Sequence, residues 1–570
     1  MTQARPEQFE LRSKSMGALP LLGFFLGRMG LAECLQSYLP RDDARLRLAP
    51  AAVIGLVVRS IVVAQRPLYG LAEWAAPYDQ VLLGLEPGDE AALNDDRVGR
   101  TLDRLFDCDR ASLITGCVLA VVREFGVSLA QLHNDSTSVT LSGSYAGADG
   151  RPRGGKATVA IRHGHNKDFR PDLKQLLFIL TVTADGAVPI ACRVADGNTP
   201  DDVTHIPTWE ELRALVGKAD FLYVADGKLC SKEALGHIAG RGGRFVTVVP
   251  RGRREDTWFR DWVQSHAPAW QEALRRPGAR LGDPERIWRT FEAPAPSVDG
   301  YRVIWVHASS KAARDAASRA ARIEAGLATL DVLATRLAGP KTRLRTRVAA
   351  EEAAAAALAA AGATRWVGFT ITETEEVAFR QERRGRPGSE TRYRRSEKRI
   401  FTVSARVRAE AVAYDAATDG CFPLITNDLA MTPAEVLAAY RYQPNLERRH
   451  HMLKGPQEVA PVYLQTPQRI EALLLCHFLA MLAEALIERE IRTSMKSAGL
   501  SGIPLYPELR ECPSPSAPRI LEIFQGVQRH ELISEGEVVQ SFEPQLTPLQ
   551  QQVLELLHVP ASVYASANAT

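Results

Sequence analysis

Three acidic residues stand in contexts suited to holding a metal ion. Asp135 lies in HNDSTSV, within a short run rich in Thr, Val and Leu, and Asp226 lies in LYVADGK, where an apolar strand runs out into a glycine turn. Glu447 lies in YRYQPNLERRHHMLK, and Pro444 suits the first turn of the helix that would carry it. A carboxylate at a strand end reaches solvent while its backbone stays fixed, which presents a rigid ligand. Taken singly, each Asp also fits a turn or cap, and a lone Glu–Lys pair fits an exposed surface. Taken together they fit phosphodiester cleavage. That reaction needs a nucleophilic oxygen, neutralised phosphoryl oxygens and a stabilised leaving group, and two divalent ions about 3.5–4 Å apart supply all three. Mg²⁺ prefers oxygen ligands and keeps several waters, so a few carboxylates on separate elements are enough. Imidazole suits softer metals, so His133, His163, His165, His450 and His451, which stand near these residues, are set aside as ligands.

The spacing around Glu447 carries a family signature. Tyr440, Gln443, Glu447 and Lys454 fit the pattern Tyr, two residues, Arg, three residues, Glu, six residues, Lys, with Gln443 in the Arg position. Further matches are Gly164, Lys167, Asp168, Arg170, Pro171, Asp172 and Gln175, then Gly197-Asn198-Thr199 with Asp201, and Asp226-Gly227-Lys228. The opening stretch from Gly17 to Leu31 and the apolar run Phe422 to Thr426 match as well. On these residues, over roughly 15–495, the chain resembles DDE transposases of the IS4 type, and within them the IS1634-like branch of bacterial insertion sequences.

The resemblance implies an α/β fold with an RNase H-like catalytic core, a mixed sheet flanked by helices. It also implies an insertion between the second and third acids. Asp135 to Asp226 spans 226 − 135 = 91 positions, and Asp226 to Glu447 spans 447 − 226 = 221, room for an inserted domain. Asp135 would bridge two Mg²⁺ ions, with Asp226 on one and Glu447 on the other, and Mn²⁺ able to substitute. The partners implied are double-stranded DNA, as terminal inverted repeats and target, and a second copy of the chain when two ends are paired. Tyr440, Gln443, Arg448, Arg449 and Lys454 would lie along the DNA backbone near the site, where contacts set affinity and salt dependence.

The elements that must position these residues are legible as patterns. Residues 1–130 read as a helical N-terminal domain suited to DNA ends, with an apolar run at Pro50 to Val63, a capped helix from Asn94 to Phe106, and Ala111 to Phe125. Arg97, Arg100 and Arg104 share one helical face, either turned to phosphates or simply solvated. Residues 131–250 read as the first part of the core. Gln131 to Ser142 is a strand, and Lys174 to Ala184 and Val188 to Val194 form a hairpin about Asp185-Gly186. Helices at Thr208 to Val216 and Ser231 to Ile238 then alternate with strands at Ala219 to Ala225 and Arg244 to Val249.

Residues 251–420 break that rhythm and read as a mixed α/β insertion before the glutamate helix. Helices run from Ser310 to Arg336 and Val348 to Ala363, and strands at Trp366 to Thr374 and Ile400 to Val407 flank a basic segment. From Arg380 to Arg399 nine Lys/Arg face three acids, 9 − 3 = +6. Arg392, Arg394 and Arg395 in that segment are candidate DNA contacts. Trp366 and Tyr393 are candidates to stack on an extruded base, or core residues. Residues 421–495 return to the core with the strand Phe422 to Thr426 and the helix from Pro433, and 496–570 read as a proline-rich irregular tail making dimer or DNA contacts.

Bulk properties bound the class. At 570 residues the chain exceeds one core. Net charge is only +3, so a nucleic-acid role rests on how charge is distributed. Eight cysteines include no CxxC pair, which excludes a zinc site of the usual spacing and reads as free thiols in a reducing, cytoplasmic setting. No signal peptide is read at the N-terminus. Ile470 to Ile491 carries Glu471, His477, Glu484, Glu488 and Arg489, so it reads as a buried or amphipathic helix and not a membrane span. Three other functions stay open: a metal-dependent nuclease that does not rejoin ends, a catalytically silent DNA-binding derivative, and an unrelated α/β protein.

Overall fold

The computed structural model describes residues 9–41, 46–64, 66–86, 88–278, 280, 282–339, 341–460 and 462–565. The first eight residues, where no signal peptide is read, lie outside these. The fold is mixed α/β, and the chain forms two compact units, Met1–Thr247 with Ala438–Thr570, and Val248–Leu437.

The first unit holds a mixed sheet of β1 (Gln131–Leu141), β2 (Lys174–Thr183), β3 (Pro189–Ala195), β4 (Leu222–Ala225) and β5 (Arg244–Val248), in the order β3-β2-β1-β4-β5. β1, β2 and β3 are antiparallel neighbours, β4 runs parallel to β1, and β5 runs parallel to β4. β2 is buried at nine of its ten positions, as its unbroken apolar run requires when both faces are covered. The turn into β3 passes Gly186 at φ 81° and Ala187 at φ 53°, the left-handed pair that a tight hairpin needs. The helices His205–Val216 and Lys232–Gly240 make the crossovers, the second capped by Ser231 Oγ accepting from the Ala234 N–H at 3.1 Å.

Helix Pro467–Ser497 is buried along most of its length, and its length and the composition of its apolar stretch would let it cross a membrane. In this unit it is buried against helices Pro50–Val63 and Asp95–Asp107, which is the other place such a helix belongs. Its acids are satisfied inside: Glu471 meets Arg110 at 3.0 Å and Glu488 meets Arg449 at 2.9 Å.

Three expectations in this unit change. The tail is not irregular. Strand Gln528–Ser534 pairs antiparallel with Phe9–Ser15 and with Glu537–Phe542, and helices Ala517–Glu522 and Pro548–Leu556 follow their own prolines. Proline opens a helix without losing a needed hydrogen bond, so proline content there misled. Cys34 and Cys117 are not free thiols but are joined in a disulfide, with Cα atoms 6.1 Å apart. The Arg97–Arg100–Arg104 face is spent locally in part: Arg97 donates to the Ala92 carbonyl at 2.7 Å, and Arg100 pairs with Asp96.

The second unit holds β6 (Gln271–Arg276), β7 (Arg286–Glu292), β8 (Arg302–Ala308), β9 (Val367–Gln381), β10 (Tyr393–Val407) and β11 (Cys421–Thr426). β11, β8, β7 and β6 lie side by side, all antiparallel, over an aromatic cluster in which Phe259 stacks on Trp305 at 3.7 Å. β9 and β10 form a separate two-stranded ribbon, paired from Val367↔Val407 to Gln381↔Tyr393. Helices Ser309–Ala338 and Arg347–Ala360 pack Leu330, Leu333 and Leu358 against Val367, Ile371 and Phe401 at its base. Each strand is 15 residues long, so the basic segment runs through both strands, with only 382–392 forming the loop between them. Its charges hide the two-residue alternation, because both faces of the distal ribbon are solvated.

Candidate functional site

The parallel register of β1 and β4 sets Asn134 opposite Ala225. Asp135 and Asp226 are therefore the next residues on adjacent strands, which run roughly 4.8 Å apart. Asp226 leaves the sheet as β4 ends: its Oδ1 accepts the Lys228 N–H at 3.0 Å, and its carbonyl accepts the Thr247 hydroxyl at 2.6 Å. Asp135 lies within β1, its Oδ1 accepting the Ser136 N–H at 2.8 Å. On β1, His133 and Asp135 are two apart and share a face.

That face meets helix Gln443–Lys454. Gln443 uses both ends of its amide: Oε1 pairs with His133 Nδ1 at 2.9 Å, and Nε2 donates to the Asn134 carbonyl at 3.0 Å. One turn beyond Glu447, His450 Nδ1 stands 3.7 Å from Asp135 Oδ2. Residues 443, 447 and 450 are four and three apart, hence on one side of the helix. Gln443 and His450 both reach β1, and Glu447, exposed, stands between them on that side of the helix. The Tyr440 phenol, just ahead of this helix, feels all three charges. Burial, followed by the charges of Asp226, Glu447 and Asp135, pushes its pKa up to about 12.

The helix is held from behind by Arg449. Its guanidinium donates to the Ala187 and Gly186 carbonyls of the β2–β3 turn at 2.9 and 3.1 Å and pairs with Glu488 at 2.9 Å. Arg449, read as following a phosphate backbone, is instead 2% exposed. Gln443, read as a DNA contact, is likewise buried and committed to β1. At this position a neutral amide suits a His133 that burial keeps uncharged, its pKa lowered to about 4.

Negative charge accumulates at the centre. Burial raises the Asp135 pKa to about 6; Lys167 opposes this, and Asp226 and Asp201 add to it. Asp201 accepts the Ser136 hydroxyl at 2.5 Å, and Lys167 stands 3.7 Å from Asp135 and 3.3 Å from Asp201. The sequence places Lys167 and Asp201 in motifs but not in the site; their stretches, GHNKDFRPD and GNTPDD, were the available signal. Among the described residues no three His, Cys, Asp or Glu side chains are gathered as a formed metal cluster. The donor chemistry nonetheless fits a hard divalent ion. The side chains are carboxylates, and a cation would offset both the burial of Asp135 and the repulsion that Asp226 and Asp201 add to it. His450 is neutral, its pKa pushed down to about 3 by burial and then by Lys167 and Lys454.

Of the remaining predicted residues, Lys454 lies beside this centre, its charge reaching His450. Lys454 donates to Asp168 at 2.5 Å, and Arg448 is exposed beside Asn445. Arg392, Arg394 and Arg395 are exposed on the ribbon of the second unit, Arg395 paired with Glu397 at 2.7 Å. Trp366 is half-buried and gives its N–H to Asp415 at 2.7 Å, a structural role, while Tyr393 is half exposed.

Residues 11–119 match a family described as a domain of unknown function, DUF4277. No curated protein matches the chain. Among solved structures the chain is similar to a piggyBac transposase synaptic complex with hairpin DNA, determined by cryo-EM. The identity is 8% and the TM-score 0.33, over 88% of this chain and 79% of that one. A likeness that distant carries no argument about the site.

Proposed function

We propose that this chain is a two-metal DDE transposase of the IS4 type, IS1634-like branch, nicking and joining DNA at the ends of an insertion sequence. The observation that supports this is the β1–β4 register, which sets Asp135 and Asp226 on adjacent parallel strands, together with the bonds of Gln443 to β1, which bring up the helix that carries Glu447. The strand order β3-β2-β1-β4-β5, antiparallel then parallel, supports the reading of an RNase H-like core. The unit Val248–Leu437 falls in the chain between the second and third acids, as that reading expects.

Asp135, Asp226 and Glu447 would hold two Mg²⁺ ions, or Mn²⁺. When bound, these lower the pKa of the attacking oxygen and neutralise charge on the phosphoryl and leaving oxygens. The residues of the chain do the positioning. Gln443 sets the height of Glu447 over β1, and Arg449 stops the helix from withdrawing. The β1–β4 register holds the two aspartates side by side. Arg448 and the ribbon arginines Arg392, Arg394 and Arg395 supply phosphate contacts. Two copies would pair two inverted-repeat ends, in the cytoplasm of a bacterial cell.

The test uses purified full-length protein, linear DNA carrying the element ends, and Mg²⁺. The expected result is a nick at the end that Asp135→Ala abolishes, and joining of pre-cleaved 3′-hydroxyl ends to a target. Release of ends without joining would leave a nuclease. Binding without any metal-dependent cut would leave a silent DNA-binding derivative.

A further inference from the structure

Loop 163–172 delivers Lys167 to the acidic centre on a fixed backbone. The Lys167 N–H donates to Ser138 Oγ at 3.0 Å. The Asn166 amide donates to Thr140 Oγ1 at 3.1 Å and accepts the N–H groups of Asp168 and Arg170 at 2.8 and 3.2 Å. From the outer side, Asp168 accepts the Thr140 hydroxyl at 3.0 Å and the Lys454 ammonium at 2.5 Å. The loop is thus pinned to β1 and to the end of the glutamate helix.

From that anchor the Lys167 ammonium donates to the Ser136 carbonyl at 2.6 Å and the Ser136 hydroxyl at 2.9 Å. It stands 3.3 Å from Asp201 Oδ2 and 3.7 Å from Asp135 Oδ1. A single positive charge is surrounded by oxygen alone, the surroundings a hard cation takes. Two of those oxygens belong to carboxylates, and one of the two carboxylates is Asp135.

We propose that Lys167 is the resident counter-cation of this centre: it neutralises Asp135 and Asp201 in the metal-free protein, vacates that place when a divalent ion enters, and so sets the metal affinity. This rests on the metal-dependent reading above and adds its regulation. An ammonium so near an oxygen that would bind a dication repels it strongly, because the pair is only partly screened. Lysine can leave. Its four-carbon stem turns freely while the backbone stays bonded to β1, and its side chain is 29% exposed, open to solvent on one side. Once displaced, the ammonium stays on a loop beside the centre, where an incoming phosphate gives it a new partner. Metal binding and DNA binding therefore favour one another.

The experiment measures Mn²⁺ binding to the full-length protein by electron paramagnetic resonance of the free ion. It is done without and with a short DNA duplex, at alkaline pH so that the carboxylates are ionised. Lys167→Met and Lys167→Gln, which remove the charge, are expected to bind Mn²⁺ roughly tenfold more tightly than wild type without DNA. Lys167→Arg, which keeps the charge, is expected to stay within about twofold. DNA is expected to tighten Mn²⁺ binding in wild type and not in Lys167→Gln. Either neutral variant, shown folded by circular dichroism, suffices. Equal or weaker Mn²⁺ binding by the neutral variants, or an equal DNA effect in both, overturns the proposal and leaves the metal-dependent reading standing. A wild type that binds no Mn²⁺ in either condition overturns both.

Discussion

The acidic site of the first unit and the basic ribbon of the second are built on opposite plans. Around Asp135 nearly every polar atom is committed. Gln443 spends both ends of its amide on β1, Arg449 joins a turn carbonyl pair to Glu488, and Lys167 and Asp201 close over Ser136. On the distal half of β9 and β10 the charges stand in solvent and meet each other along the ribbon, Arg395 with Glu397 and Arg399 with Glu373. The contrast fits what each region would handle under the proposed function. Bond breaking at phosphorus tolerates misplacement of a ligand by only a fraction of an ångström. Holding a phosphate backbone needs charge, and a flexible exposed arginine supplies it without a fixed partner.

The comparison breaks most sharply under substitution of the acids. Asp135→Ala or Glu447→Ala is expected to lower the nicking rate by on the order of a thousandfold, the loss of several kcal/mol of charge stabilisation, with DNA affinity in gel shift changed less than about twofold. A parallel loss of affinity would mean that the acids shape the DNA surface rather than the chemistry.

Behind the acids, Arg449→Met is expected to destabilise the first unit by about 1.5–3 kcal/mol in denaturant unfolding, because it takes from buried Glu488 the nearer of its two arginines and leaves Arg492 at 3.3 Å. Arg449→Met with Glu488→Leu should recover most of that loss. An unchanged midpoint for the single variant would show that the pair does not hold the glutamate helix.

The ribbon should behave in the reverse way. Replacing Arg392, Arg394 and Arg395 together by Ala is expected to leave stability within about 0.5 kcal/mol. DNA binding should weaken, and the slope of log affinity against log salt should fall by roughly 2–3, about 0.9 for each lost phosphate contact. An unchanged slope would remove the ribbon from the DNA interface.

The smallest effect sharpens the interior side. Glu484 accepts from Gln457 at 2.6 Å, and burial lifts its pKa from 4.5 to about 8. The folded chain therefore keeps a proton that the unfolded chain releases above its ordinary pKa. The stability this contributes is full in acid and is lost as pH rises through about 8. Glu484→Gln, which cannot ionise, is expected to flatten that decline. The check is the difference in denaturant midpoint between variant and wild type at mildly acidic and at alkaline pH; a difference independent of pH would place the shift elsewhere.

What the sequence determined by itself was local. The β2–β3 hairpin about Asp185-Gly186, the apolar strand ending at Asp226, the helix opened at Pro444 and the long apolar helix were all legible. Each follows from a period of two or near four, or from turn and proline chemistry acting within a few residues. The three acids proposed as metal ligands were singled out by the resemblance that the spacing around Glu447 carries. Tertiary structure alone decided which polar residues sit beside them. Lys167 and Asp201 reach Ser136 across loops, Gln443 meets His133 from 310 positions away, and Arg449 meets the Gly186 carbonyl from 263 positions away. The paired strands near the two ends of the chain and the Cys34–Cys117 bridge are of the same kind. No periodicity records such pairings. They form because buried donors, acceptors and charges must find partners once the core has closed, and the closure of the core decides which partners are within reach.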